Sequence, residues 1–290
     1  MKSAEVIALP EELPASQRAA LLNLLADEDP AIYRAVRNRI LSCGPQAIPW
    51  LRPHALSSDA VLRRRAREIV RHFERQAADN RFLAFCLKHG QEFDLEQAAW
   101  LLAQTEYPEI NIEAYQALLD SYAAELQQRL GSGSPAIEIL TSIKEYLFHE
   151  LGFAGNEQNY HDPENSYLNR VIDRRTGNPI NLCLVYLLLA RRLQLPIAGI
   201  GLPGHFVCRY QSSADEIFID AFNRGKLLSK ADCVQYLLHG KYSLREDYLA
   251  PVSPRRLLLR ICANLHQTYR YLELAEETTR LQRYLIALAR

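Results

Sequence analysis

Residues 175–222 read RTGNPINLCLVYLLLARRLQLPIAGIGLPGHFVCRYQSSADEIFIDAF, and this stretch decides the fold. From Ile180 to Leu195 it is apolar nearly all round, which predicts a helix buried on most sides. We expect Gly177 to end the helix before it, and Asn178 and Pro179 to supply its cap and first turn. This segment should be the central helix of a domain.

The second half of the stretch changes to the pattern of β-strands. Residues 197–201, 205–211 and 216–221 are rich in β-branched and aromatic side chains, and the last two runs flank the polar turn SSAD. If Gln211 pairs with Glu216, Cys208 lies opposite Ile219 and points to the other face of the sheet from His205. His205 and Asp220 then form a diagonal pair on one face, within about 7–8 Å of each other.

Cys183, His205 and Asp220 follow one another in this stretch as a thiol nucleophile, its base and the carboxylate that orients the base would. A cysteine near the start of a buried helix can be activated by the free amides and dipole there. The alternative is a thiol that packs in the core and is inert. Spacing alone leaves both open.

A polar segment precedes the central helix. On helical pitch, Asn165, Asn169 and Asp173 form one stripe, and Arg170 with Arg174 forms another. Such stripes are usually solvent-facing, but they could also line a groove. The residues of that groove would be Asn165, Asn169, Arg170, Asp173 and Asn181.

Helical patterns flank this region on both sides. Near the N-terminus an Asp-led apolar helix recurs after 30 residues, at Asp29 and Asp59, as in a stacked helical repeat. Asp94 and Asn111 are expected to cap two further helices, and Gly152 to close a helix over 137–151. Residues 253–290 predict a pair of helices packed face to face.

Composition excludes several classes of partner. The 34 basic and 34 acidic residues give no net field for nucleic acid or an anionic membrane. The sequence contains no apolar run of spanning length and no evident signal peptide, so a cytoplasmic location is expected. Six scattered cysteines without a C-x-x-C pair suggest neither a zinc site nor a redox dithiol. We expect no cofactor and no metal.

Several motifs stand in order: NSYLNRV, RTGNPI, LPGHF and FIDAF. Together they resemble the bacterial transglutaminase-like proteins of the SirB type, over roughly residues 91–242. The resemblance implies a papain-like α+β core, mostly α overall, with His205 and Asp220 as the family's histidine and aspartate. Cys183 fits the position of the family's cysteine less well, because the match places the nucleophile near residues 179–181, about one turn before Cys183.

The resemblance also suggests an organisation and a function. We expect a HEAT-like helical segment at 1–85, the transglutaminase-like domain at 86–250 and a tetratricopeptide-like helix pair at 251–290. The favoured function is a catalytically degenerate module that regulates or binds another protein or peptide. The alternative is a cysteine-type amide hydrolase or acyl transferase that uses Cys183, His205 and Asp220.

Overall fold

The computed structural model of the protein describes residues 13–131, 133–242 and 245–290. Over these residues the chain forms two compact units, one within residues 13–80 and one formed by residues 81–290. Helices dominate, and the second unit also holds a small antiparallel sheet. The fold class is α+β and mostly α, as the sequence predicts.

The first unit is helical and has its own core, built around Leu25, Ile40 and Leu51. The carboxylate of Asp29 accepts a hydrogen bond from the Ala31 amide at 2.7 Å, and Asp59 does the same for Val61 at 2.8 Å. Both helix starts that the 30-residue interval predicts are therefore confirmed. The helices are α1 (Ala15–Leu25), α2 (Pro30–Ser42), α3 (Ile48–Leu51) and α4 (Ala60–Lys88), whose last residues belong to the second unit.

Three helices follow before the sheet: α5 (Leu95–Gln104), α6 (Ile112–Arg129) and α7 (Ala136–Lys144). Asp94 and Asn111 cap α5 and α6, as predicted. The helix that the sequence predicts over 137–151 changes character at Glu145–Glu150, where it becomes a π-helix. Gly152 follows it with a positive φ of 75°, a conformation that glycine adopts without strain.

The central helix α9 (Pro179–Arg192) forms as predicted, with the Asn178 side chain accepting from the Asn181 amide at 3.0 Å. The role predicted for Gly177 is wrong. The preceding helix α8 (Leu168–Arg174) already ends at Arg175, which has a φ of 56°. It ends there because the Arg175 carbonyl accepts from the Ala154 amide. A short parallel pair results, β1 (Ala154–Gly155) with β2 (Thr176–Gly177).

The main sheet is antiparallel, and its strands follow chain order. Cys208 pairs with Ile219 and Gln211 with Glu216, so the predicted hairpin register is confirmed. The last, short strand of the sheet is not predicted from the sequence pattern. The strands are β3 (Ile197–Ile200), β4 (Val207–Gln211), β5 (Glu216–Asp220) and β6 (Lys226–Leu228).

The two faces of this sheet meet different helices. Cys208 and Ile219 pack into the large core that contains α9. Val207 and Phe218 alternate with them and pack into a smaller core with Cys233 and other residues, on the side of α10 (Lys230–His239). A side chain near β4 therefore faces either α9 or α10, according to its position along the chain.

The chain ends in the predicted helix pair, α11 (Pro254–Tyr271) and α12 (Ala275–Ala289), which joins the large core. Arg255 is buried at the start of α11 with 7% of its surface exposed. Its guanidinium donates to the carbonyls of Ala287 and Leu288 at the end of α12, and to those of Cys86 and His89 at the end of α4. One side chain thus satisfies the last carbonyls of two helices.

Replacing Arg255 with leucine should lower the free energy of unfolding by about 2–4 kcal/mol, because three buried carbonyls and one partly buried carbonyl would lose their donor. Urea denaturation of the full chain measures this. Arg256→Leu, at the exposed neighbouring position, is the matched control and should cost less than about 1 kcal/mol. Equal effects of the two changes would contradict this role for Arg255.

Candidate functional site

The centre of the candidate site is a dyad formed by His205 and Asp220. His205 lies just before β4 and Asp220 ends β5, and the confirmed register brings them together. The Nε2 atom of His205 lies 2.9 Å from Oδ2 of Asp220. The prediction that these side chains meet is confirmed, and Nδ1 is left as the ring nitrogen that would serve a reacting group.

Asp220 is held in place from a second direction. The Asn223 amide donates to Oδ1 at 3.2 Å, and the Asn223 side chain donates to Oδ2 at 2.8 Å. Burial favours the neutral acid, but the His205 hydrogen bond and charge, together with the Asn223 bonds, outweigh it and lower the pKa of Asp220. The pair is therefore a fixed carboxylate beside an oriented imidazole.

Cys183 lies in a different setting. It is the fifth residue of α9 and is fully buried, and its thiol contacts the carbonyl oxygen of Phe206 at 3.5 Å. Burial, followed by the Cys208 thiol and the Asp220 carboxylate, raises the pKa of Cys183 well above its ordinary value. The helix start lies before it in α9, and the amides of Asn181 and Leu182 there already donate to Asn178.

The sheet explains why Cys183 and His205 differ in environment. Cys183 packs with Cys208, whose side chain belongs to the α9 face. The ring of His205 lies instead near Tyr236 of α10, with 5.8 Å between ring centroids. Strand alternation separates the Cys208 side chain from that of His205, as predicted, and Cys183 lies with Cys208.

Two residues of the site, Asn223 and Arg260, are not predicted from the sequence. Asn223 follows Asp220 by three positions, and an Asp-x-x-Asn run after a strand is a turn signal that could have revealed it. Arg260 comes from α11 and donates to the carbonyls of Leu202 and His205, which fixes the turn that carries the imidazole. A side chain at Gly201 would begin 2.9 Å from the Arg260 guanidinium, so glycine leaves it room. No local motif indicates Arg260.

The three asparagines proposed to line a groove are buried. Asn165, Asn169 and Asn181 are each 1–2% exposed. Asn165 donates to the carbonyls of Asn159 and Tyr160, so it holds the loop before α8. The Oδ1 atoms of Asn169 and Asn181 are buried without a hydrogen-bond partner among the described residues.

The two charged groove candidates belong to an ion-pair network. Arg170 bonds Glu164 at 2.9 Å and Asp173 at 3.3 Å, and Tyr115 donates to Asp173. Arg174 joins the same network through Glu164. These contacts tie α8 to the loop before it and to α6.

The described residues hold neither a metal-binding cluster nor a helix that could span a membrane. No cluster of three histidine, cysteine or acidic side chains there could hold a metal ion. None of the helices in that part of the chain combines the length and apolarity needed to cross a bilayer.

About half of the sequence matches a known family. Residues 113–263 match the model of the transglutaminase-like superfamily. A UPF0162 protein of Xylella fastidiosa is 35% identical over 60% of this chain and 64% of its own length. A UPF0162 protein of Pseudomonas aeruginosa is 30% identical, over 63% of this chain and 67% of its own length. The chain therefore belongs to the transglutaminase-like superfamily, and within it to the family of the UPF0162 proteins.

A mammalian protein is also similar to part of the chain. F-box only protein 21 of Mus musculus is 34% identical over 51% of this chain, which spans 25% of that protein. The chain thus spans about two thirds of the bacterial relatives' length and a quarter of the mouse protein's. No solved structure matches.

Asp220→Asn should make the stability of the protein less dependent on acid pH. The pKa of Asp220 in the folded chain lies below its unfolded value near 3.8, so the carboxylate stabilises the fold fully above about pH 5. That contribution is lost as the pH falls through the folded pKa. At pH 7 the substitution should cost about 1–3 kcal/mol, and the difference from wild type should shrink between pH 5 and pH 3.

Urea denaturation across this pH range tests the prediction. Asp215→Asn is the matched control, because Asp215 is exposed in the turn between β4 and β5. It should change the free energy of unfolding by less than about 0.5 kcal/mol at pH 7. A deficit of Asp220→Asn that is the same at pH 7 and pH 3 would show that the carboxylate's charge plays no part.

Proposed function

We propose that this chain is a protein-binding or regulatory module of transglutaminase-like fold, and that it has lost thiol catalysis. The observation that carries this proposal is the setting of Cys183, a fully buried thiol whose pKa is raised. A thiolate is the nucleophile in cysteine enzymes, and this environment favours the neutral thiol. Access is lacking as well, because no part of the side chain reaches the surface.

The His205–Asp220 pair takes a binding role in this proposal. An oriented imidazole offers one nitrogen as donor or acceptor beside aromatic rings, with Phe222 at 6.3 Å and Tyr236 at 5.8 Å between centroids. The rings of Phe222 and Tyr236 form an aromatic rim around His205. Tyr236 is 39% exposed, so part of this rim is open to a partner. The partner is another protein or a peptide, since aromatic and hydrogen-bonding side chains are typical of such surfaces.

The proposal also includes the subtype of the chain within its family and the nature of its flanking helices. Within the family the chain is of the SirB type, on the motifs around His205 and Asp220. The helices of residues 13–80 are a HEAT-like segment, supported by the matched aspartate caps, and α11 with α12 is a tetratricopeptide-like pair. Helical repeats are common docking surfaces, which agrees with a role in binding. The module acts in the cytoplasm, where its six free thiols stay reduced.

One observation favours the second candidate function, an amide hydrolase or acyl transferase. His205 and Asp220 form the hydrogen bond that would orient a general base, and Cys183 is near enough to Asp220 for its pKa to respond. Catalysis would require α9 to shift so that the thiol becomes exposed beside Nδ1 of His205. The two functions differ in what they predict for thiol reactivity.

Alkylation of the native chain with iodoacetamide at pH 7.5, followed by mass spectrometry of each cysteine, separates the two functions. We expect Cys183 to react at least about 100-fold more slowly than in urea, because the reactive thiolate is scarce and shielded. His205→Ala should leave this rate unchanged. Cys43, the most exposed of the buried cysteines at 6%, is the internal reference and should react faster.

The opposite pattern would establish the enzyme. Cys183 would then react faster than the other five cysteines, and His205→Ala would abolish the difference. Far-ultraviolet circular dichroism of the variant must match wild type, so that unfolding does not imitate a change in reactivity.

A further inference from the structure

A cavity of about 490 Å³ lies beside the dyad, lined by residues 154–158, Thr176 and residues 222–224. Its volume is in the range of sites that hold small ligands or short peptide segments. Two of its walls come from elements already described: β1 with the residues after it, and the turn that follows β5.

The β1 wall presents an unused strand edge. In the parallel ladder, Ala154 and Asn156 direct their amides toward β2, where they donate to the carbonyls of Arg175 and Gly177. Gly155 lies between them, so its N–H and C=O point away from the ladder. Neither group has a hydrogen-bond partner among the described residues. Free main-chain groups at a strand edge are a template for another extended chain.

The opposite wall connects the cavity to the dyad. A side chain at position 155 would begin 2.6 Å from the Phe222 ring, so glycine lets that ring lie directly on β1. The same ring lies edge to face with the His205 ring, with 6.3 Å between the ring centroids. Asn223, the next lining residue, holds the Asp220 carboxylate. A ligand in the cavity would touch the residues that fix the dyad.

The chemistry of the lining indicates what kind of ligand fits. The Asn156 and Asn223 side chains already donate to Asn165 and Asp220. Glu157 and Arg224 are both exposed and opposite in charge, so the lining carries no net charge to select an ion. The Gly155 main chain adds one donor and one acceptor to this lining, beside the exposed side chain of Gln158. One donor and one acceptor on an extended backbone complement another extended backbone.

We propose that this cavity binds a segment of polypeptide in extended conformation, which adds to the free edge of β1 by pairing its main chain with Gly155. The inference rests on the proposed binding function and specifies its partner as an unfolded or flexible peptide segment. The bound segment lies against Phe222 and so reaches the aromatic rim around His205.

The test selects 12-residue peptides from a random phage-displayed library on the immobilised full chain, then measures their affinities by fluorescence anisotropy. Replacing single amides of a selected peptide by esters removes one N–H at a time. Strand pairing predicts a loss of about tenfold at a position whose N–H points to Gly155, and little effect at its immediate neighbours. Amide exchange followed by NMR should slow at Gly155 on binding, by at least about tenfold.

Gly155→Ala is the matching protein variant, because its methyl group must displace the Phe222 ring. It should weaken the selected peptides at least about tenfold. Gly90→Ala is the control, since a Cβ there meets open space, and its affinity should equal that of wild type. If Gly155→Ala fails to fold, the ester series and the amide exchange at Gly155 still test the pairing, because both are measured on the wild-type chain.

Selected peptides could bind without slowing amide exchange at Gly155, or their ester analogues could show no alternation of affinity along the peptide. Either result would overturn the cavity assignment and leave the proposed binding function intact. Failure to select any peptide would also overturn it. The loss of catalysis is tested separately by the alkylation of Cys183, so the two proposals can fail independently.

Discussion

Burial of α9 is the constraint on which the rest of the second unit depends. Eleven of its fourteen residues are buried, so it has to be covered nearly all round. β3 and β4 cover one side, and α6, α8 and α11 contribute to the others. A helix in this position fixes the sheet, and the sheet fixes the dyad. It also buries the thiol in its second turn, which makes Cys183 part of the core.

The sequence predicts this arrangement where local rules determine it. Asn178 and Pro179 start α9, and the SSAD turn sets a register in which His205 and Asp220 meet. Both follow from capping and strand periodicity, which act over a few residues. The family resemblance adds the packing of helix on sheet, which periodicity alone does not give.

The features that the sequence did not predict arise from contacts distant in the chain. Gly177 resembles a helix C-cap, but the Ala154 amide, over twenty residues earlier, takes the Arg175 carbonyl and turns the chain into β2. Arg260 reaches the His205 carbonyl from 55 residues away. Asn165 and Asn169 fit a polar surface stripe on helical pitch, yet both are buried, because loop carbonyls and neighbouring helices cover them. Tertiary packing overrides local pattern in each case.

The short strand pair connects these observations. Two paired strands of two residues each are not stable alone, so β1 and β2 exist because the core holds the segments on either side of them. Gly177 packs against Val171 of α8, and Gly155 packs against Phe222 after β5. The ladder is thus clamped between the helix before α9 and the turn beside Asp220. Because one side of β1 is paired and one face is covered by Phe222, the main chain of Gly155 is held in a fixed position next to the dyad. A chain that has buried its thiol still keeps, in this way, an ordered main-chain surface beside an oriented imidazole.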